Sequence, residues 1–192
     1  MQEVVSYYHL SNVQPINLAL MENGCWLLLL NAKHIPPHIV ISIEGMVYGN
    51  SVRGTWINKP LKKILEYAQR KAQGLVGIEL KLKPSGIQLQ AFESELLKLK
   101  PVTSSSATCL HPIKLFLAQF IPYDPEKVNF VFQLINELEN RDSILKVFHL
   151  GMEDHFVHES SPFSMRMPSY GWNVIDYEIK ASKLLYANAS KR

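Results

Sequence analysis

Residues 23–50 read NGCWLLLLNAKHIPPHIVISIEGMVYGN, and three strand-like runs separated by turn residues lie within them. Trp26 to Leu30 is a continuous apolar run of strand length, which predicts a strand buried on both faces. Lys33 to Pro37 is a loop punctuated by two prolines. His38 to Ile43 is β-branched and apolar, the composition of a strand. Glu44-Gly45-Met46 can turn the chain, and Val47 to Arg53 can return antiparallel. Together these segments predict the start of a meander.

The signals continue on either side. Ile16 to Met21 is a short mixed stretch that ends in the turn Glu22-Asn23-Gly24. Pro60 opens a helix in which Leu61, Ile64, Leu65 and Ala68 fall at helical spacing, with Gly74 beyond its end. Val76, Ile78, Leu80 and Leu82 alternate with Gly77, Glu79, Lys81 and Lys83, the pattern of a half-exposed strand. Pro84-Ser85-Gly86 breaks it, and Leu89, Phe92, Leu96 and Leu99 mark a second helix. A Ser- and Thr-rich loop runs from Pro101 to Thr108, and Thr108 is a good N-cap. Ile113, Phe116, Leu117 and Phe120 give a third helix that Pro122 ends. A fourth runs from about Pro125 to Leu138. Ile144 to Leu150 and Asn173 to Ile179 are further strand candidates, and Ser160 to Gly171 reads as loop. No internal repeat and no low-complexity tract is present.

Composition sets the class. The chain has 192 residues, 47% hydrophobic and 19% charged, with a net charge of +3. That suits one globular domain of 1–192 and argues against disorder. The charge is too weak, and too little patterned with aromatics, for a nucleic-acid surface. Two cysteines, Cys25 and Cys109, do not make a disulfide scaffold. Met1 to Val13 lacks the basic and apolar regions of a secretory signal, so a chain complete as given is expected in the cytoplasm. The longest apolar run, Cys25 to Leu30, is far too short to span a bilayer.

The chemistry-bearing residues separate by setting. Cys109 sits at a helix start, where the helix dipole and free N–H groups favour a thiolate and can bind an oxyanion. Cys25 opens an apolar strand and reads as structural. His38 leads a strand and can serve as the base, with His34 in reserve. A polar residue must then hold the imidazole. With a three-residue loop, Glu44 to Met46, His38 stands opposite Val52, and Asn50 is its diagonal neighbour on the same face. A two-residue loop turns Asn50 to the other face and removes that role. His149, Glu153, Asp154, His155, His158 and Glu159 form a second polar cluster. It lacks a metal-binding signature and reads as a solvated loop, so no metal and no cofactor are expected.

In order and spacing the chain resembles the circularly permuted papain-like cysteine hydrolases, which include permuted NlpC-type hydrolases and the lecithin retinol acyltransferase family. NGCWLLLL is similar to their first strand and PHIVISIEGMVYGN to their histidine segment. PLKKILEYAQ and VGIELKLKP resemble the next helix and strand, and ATCLHPIKLF resembles the cysteine helix. The likeness covers about residues 20 to 122, with 123–192 completing or decorating that core. It implies an α+β, papain-like permuted fold, an antiparallel sheet packed against helices. It also implies a cysteine hydrolase, amidase or peptidase, with Cys109 as nucleophile, His38 as base and Asn50 as orienting residue. The substrate would be a small peptide, a cell-wall peptide or a lipid. Cys25 stands where the family often has an acidic residue, Val102 near its tyrosine, and Ile39-Val40 in place of its glycine. A non-catalytic binding module on the same fold, or a thiol acyltransferase acting on lipid, is therefore a direct alternative. A third class is an assembly protein that offers exposed apolar residues such as Phe163 and Trp172 to a partner.

Overall fold

The structure, a computed structural model, describes residues 7–16, 21–32, 37–102, 108–153 and 163–166. It is an α+β fold built on a seven-stranded, mostly antiparallel sheet. In chain order the strands are β1 (Tyr7–Leu10), β2 (Val13–Pro15), β3 (Cys25–Leu30), β4 (His38–Ile43), β5 (Met46–Ser51), β6 (Gly54–Pro60), β7 (Leu75–Leu80), β8 (Ile144–Leu150) and β9 (Phe163–Arg166). The helices are α1 (Leu61–Arg70), α2 (Gly86–Lys98), α3 (Leu110–Leu117) and α4 (Val131–Asn140). The large sheet has the order β2-β8-β7-β3-β4-β5-β6, while β1 and β9 form a separate pair.

The run Cys25–Leu30 is the fourth and central strand, and all six of its residues are buried. A strand covered on both faces has no polar side to display, which is why its sequence does not alternate. On one face Leu27, Leu29, Ile39, Ile41, Ile43, Tyr48, Val76 and Ile78 join the main core with α2, α3 and α4. On the other Trp26, Leu28, Leu30, Val40, Val47, Leu75 and Phe148 form a smaller cluster under Leu61 and Leu65 of α1. Burying Leu61, Leu65 and Ala68 gives α1 its single apolar stripe.

The structure differs from the sequence expectations in several places. The return strand ends at Ser51, not Arg53, and a further strand, β6, follows directly. A tight turn joins them: Ser51 Oγ donates to the Gly54 carbonyl at 2.8 Å and accepts from Arg53 N at 3.2 Å. The fourth helix is split, because Asp124 Oδ1 caps a short 3-10 turn at Pro125–Lys127 and α4 begins only at Val131. At α4, Gln133 Oε1 accepts from the N–H groups of Asn129 and Phe130 and so holds the new start. Beyond residue 122, α4 lends Leu134, Ile135 and Leu138 to the main core, and β8 pairs along the length of β7. Phe163 is buried, with 2% exposure, and is not an offered surface residue; Trp172 and the segment 173–179 lie outside the described residues. Among the described residues no helix is long and apolar enough to cross a membrane.

Candidate functional site

A cavity of about 930 Å³ opens at the end of the sheet where β3 stops and β4 begins. Its wall takes Leu30 and Asn31 from the end of β3, His38 from the start of β4, and Trp56 to Pro60 from β6. It also takes Ile64 and Tyr67 from α1, Cys109 and Leu110 from the head of α3, and Asn129 to Val131 from the start of α4. Cys109 and His38, chosen from sequence as nucleophile and base, therefore open on one groove.

His38 pairs with Leu30 and shares a sheet face with Val40, the face covered by α1. Its ring meets the edge of Trp56, with centroids 5.6 Å apart and planes at 74°. Its Nε2 is buried and has no hydrogen-bond partner among the described residues. Burial with no compensating charge pushes the imidazole down to about 4, so the ring is neutral at pH 7. Cys109 is half-buried and packs against the main core on the other side of the sheet. The Thr108 hydroxyl accepts from His111 N at 3.3 Å, the capping interaction expected of that threonine.

Asn50 does not join them. Ile43 pairs with Met46 and Ile41 with Tyr48, so the hairpin loop is the two residues Glu44 and Gly45. Tyr48 and Asn50 then share the face of Ile41, and His38 lies on the opposite one. Asn50 is fully buried, and its Nδ2 donates to the Lys100 carbonyl at 2.9 Å. Val102 N donates to the Ser51 carbonyl at 3.0 Å. Asn50 and Ser51 thus pin the chain that leads into the cysteine loop, and neither orients His38.

Asn31 escaped the sequence reading. It sits in the left-handed region at φ 53°, one residue past the strand end that pairs with His38. Its Oδ1 is buried on the wall of the same groove, without a partner among the described residues. The only sequence signal was an asparagine just past a strand, a residue type that tolerates this conformation.

The remaining candidates are placed elsewhere. Cys25 is 1% exposed, and burial, helped by the Glu44 charge, pushes its thiol up to about 12, which leaves it protonated and inert. Neither cysteine is in a disulfide. His149 stands within β8 and not in a loop; burial lowers its imidazole, and the Glu153 charge opposes that in part. His34, Asp154, His155, His158 and Glu159 lie outside the described residues. Among the described residues no three His, Cys, Asp or Glu side chains gather as metal ligands would. No protein-family model, no curated protein and no solved structure matches the chain.

Proposed function

We propose that this chain is a ligand-binding domain whose groove holds a small, mainly apolar molecule with a polar end at His38 and Asn31. One observation carries the proposal: two buried polar atoms on the wall of a 930 Å³ cavity, His38 Nε2 and Asn31 Oδ1, have no hydrogen-bond partner among the described residues. A buried polar atom left unpaired costs about 1–3 kcal/mol. A ligand that supplies the missing partners recovers that cost on binding. The rest of the wall is largely apolar, as small-molecule sites are. This is the binding-module form of the permuted papain-like fold, and the mostly antiparallel sheet with the cysteine-bearing helix late in the chain is compatible with it. Titration with the fluorescent apolar anion 1-anilinonaphthalene-8-sulfonate tests it. One saturable site is expected, lost on Ile64→Trp, which fills the wall, while far-UV circular dichroism is unchanged. Binding with no saturation, or binding indifferent to Ile64→Trp, would overturn it.

A second proposal, a cysteine hydrolase, is favoured by the shared opening of Cys109 and His38 on the groove. The chemistry would run in two steps. His38 takes the thiol proton, Cys109 Sγ attacks an amide or ester carbonyl, and the leaving group departs with the proton from His38. Water then cleaves the thioester and returns the thiol. Against it stand the low basicity of His38 and the lost orienting residue. Iodoacetamide labelling separates the two. Fast alkylation of Cys109 at pH 6 marks a thiolate and favours the hydrolase. Labelling only above pH 8 marks an ordinary thiol and favours the binding domain.

A further inference from the structure

We infer that the groove takes a neutral apolar alcohol, its hydroxyl held between Asn31 and His38 and its hydrocarbon body along Trp56, Ile64 and Leu75. The inference rests on the binding reading above and names the class of ligand. Asn31 follows directly on Leu30, and Leu30 pairs with His38 across β3 and β4. Asn31 and His38 therefore hold neighbouring positions at one end of the strand pair, and both line the groove. Asn31 Oδ1 and His38 Nε2 are buried there without a hydrogen-bond partner among the described residues. Ser42 Oγ and Asn50 Oδ1 are buried without one as well, but neither residue lines the groove. Asn31 and His38 are each only half-buried as whole residues, and the terminal torsions of both side chains are broad. A rotation of the amide or the ring can thus turn each polar atom to the wall.

Hydrogen-bond chemistry selects the head. The Asn31 carbonyl oxygen only accepts, so the ligand must bring a donor. The His38 ring, held neutral at pH 7 by its burial, has one donor and one acceptor nitrogen, and Nε2 takes either role according to the tautomer. A hydroxyl donates and accepts through a single atom, so it serves Asn31 and either form of His38. An ether or a carboxylate brings acceptors alone and leaves Asn31 Oδ1 facing another oxygen without a proton between them. An ammonium brings donors, but among the described residues no Asp or Glu lines the groove to balance its charge. The wall sets the body. Leu30 pairs with His38 on one side and with Leu75 on the other, and the Trp56 ring meets the imidazole at 5.6 Å. The apolar surface therefore begins beside the two polar atoms, where a hydrocarbon body loses water.

The test is a calorimetric titration of the full chain with decanol and with its isomer nonyl methyl ether, which has the same atoms and no donor. Decanol should bind about ten-fold more tightly than the ether. Asn31→Gly suits the left-handed backbone at φ 53° and removes the amide. It should weaken decanol about ten-fold and leave the ether unchanged. His38→Phe keeps a ring against Trp56, removes both nitrogens and should do the same. Far-UV circular dichroism checks that each variant is folded. Equal affinity for the two isomers, or decanol binding unchanged in either folded variant, overturns the alcohol and leaves the groove reading standing. Tighter binding of decanoate or decanamide than of decanol assigns the head to a carboxylate or an amide, with the same consequence. If none of the four binds, the alcohol falls; if the saturable site for 1-anilinonaphthalene-8-sulfonate is missing as well, the groove reading falls with it.

Discussion

The two faces of the central sheet are built from the same strands and end in different states. One face lies under three helices and is sealed: Phe92 stacks on Phe116 at 4.2 Å, and Phe116 meets Phe120 edge-on at 5.2 Å. Among the described residues the other lies under one helix, α1, whose Leu61 and Leu65 join Met21 in covering Trp26, Leu28 and Val47. β4 shows the consequence in one strand. It turns Ile39, Ile41 and Ile43 to the sealed face and His38, Val40 and Ser42 to the thin one. Both of its polar side chains are on the thin side, where His38 Nε2 and Ser42 Oγ have no hydrogen-bond partner among the described residues. Alternation makes two apolar faces, and the groove opens at the sheet end where both contribute, Trp56 and Ile64 from the thin side and Cys109, Leu110 and Val131 from the sealed one. The closed part of the sealed face should hold the stability and the groove the function.

The largest expected effect comes from breaking the sealed face. Phe116→Ala removes a ring that is 1% exposed and in contact with both Phe92 and Phe120. Loss of a buried aromatic costs about 3–5 kcal/mol. Urea unfolding should show a lower midpoint at unchanged slope. Trp56→Ala, on the open groove and half-exposed, should cost clearly less. Equal losses would erase the contrast between the faces.

Acid probes the thin face. The His38 imidazole is pushed from 6.5 down to about 4 by burial. The unfolded chain therefore binds the proton more readily than the folded one. Stability is fully present above about pH 6.5, falls as the pH drops towards 4 and levels off below that. The loss attributable to His38 should be on the order of 2–3 kcal/mol. His38→Gln should flatten that limb of a melting-temperature profile. An unchanged profile in the variant would remove His38 as the source.

A smaller effect tests how closely the strands of the thin face approach. A Cβ on Gly49 would stand 2.9 Å from Val40 Cγ1 and 3.3 Å from Val40 Cβ. Gly49→Ala should cost about 1–3 kcal/mol, as overpacking does. Val40→Ala in the same chain should recover part of that loss, a coupling that a double-mutant cycle reads directly. Additive losses would mean that the crowding lies elsewhere.

How much of this was legible in the sequence follows from what each feature depends on. β3 and β4 were readable because apolar runs of strand length flanked by turn residues have few other uses. α2 was readable from Leu89, Phe92 and Leu96, and Ser85 and Gln88 close a capping box at its start. β6 was not readable: Asn58 takes φ 52° and Lys59-Pro60 follows, so no clean alternation marks it. The place of Asn50 hung on a turn. Glu44 and Gly45 both take positive φ, 47° and 73°, the requirement of a two-residue hairpin. Glu-Gly is not among the strong signals for that turn, so the sequence left two registers open, and the realised one moves Asn50 off the face of His38. The helix start at Cys109 and the strand start at His38 were local and visible. The groove that unites them is lined from the ends of β3 and β4, from β6 and α1 and from the heads of α3 and α4, and the buried polar atoms of Asn31 and His38 meet it only once the chain has folded.

The smallest expected effect sharpens the contrast from the other side. Lys59 is exposed, and its Nζ approaches the Trp56 ring at 5.7 Å. A cation over an aromatic ring at an exposed site is worth about 0.5–1 kcal/mol. Lys59→Gln should therefore lower stability by no more than that, against several times as much for Phe116→Ala. Ligand affinity should move in the opposite order, since Phe116 does not line the groove and Lys59 does. Chemical denaturation and ligand titration on the same two variants would settle whether stability and binding are divided between the sealed face and the groove. A Lys59→Gln chain that unfolds as readily as the Phe116 variant would show that the groove rim is part of the structural core, and the division proposed between them would fail.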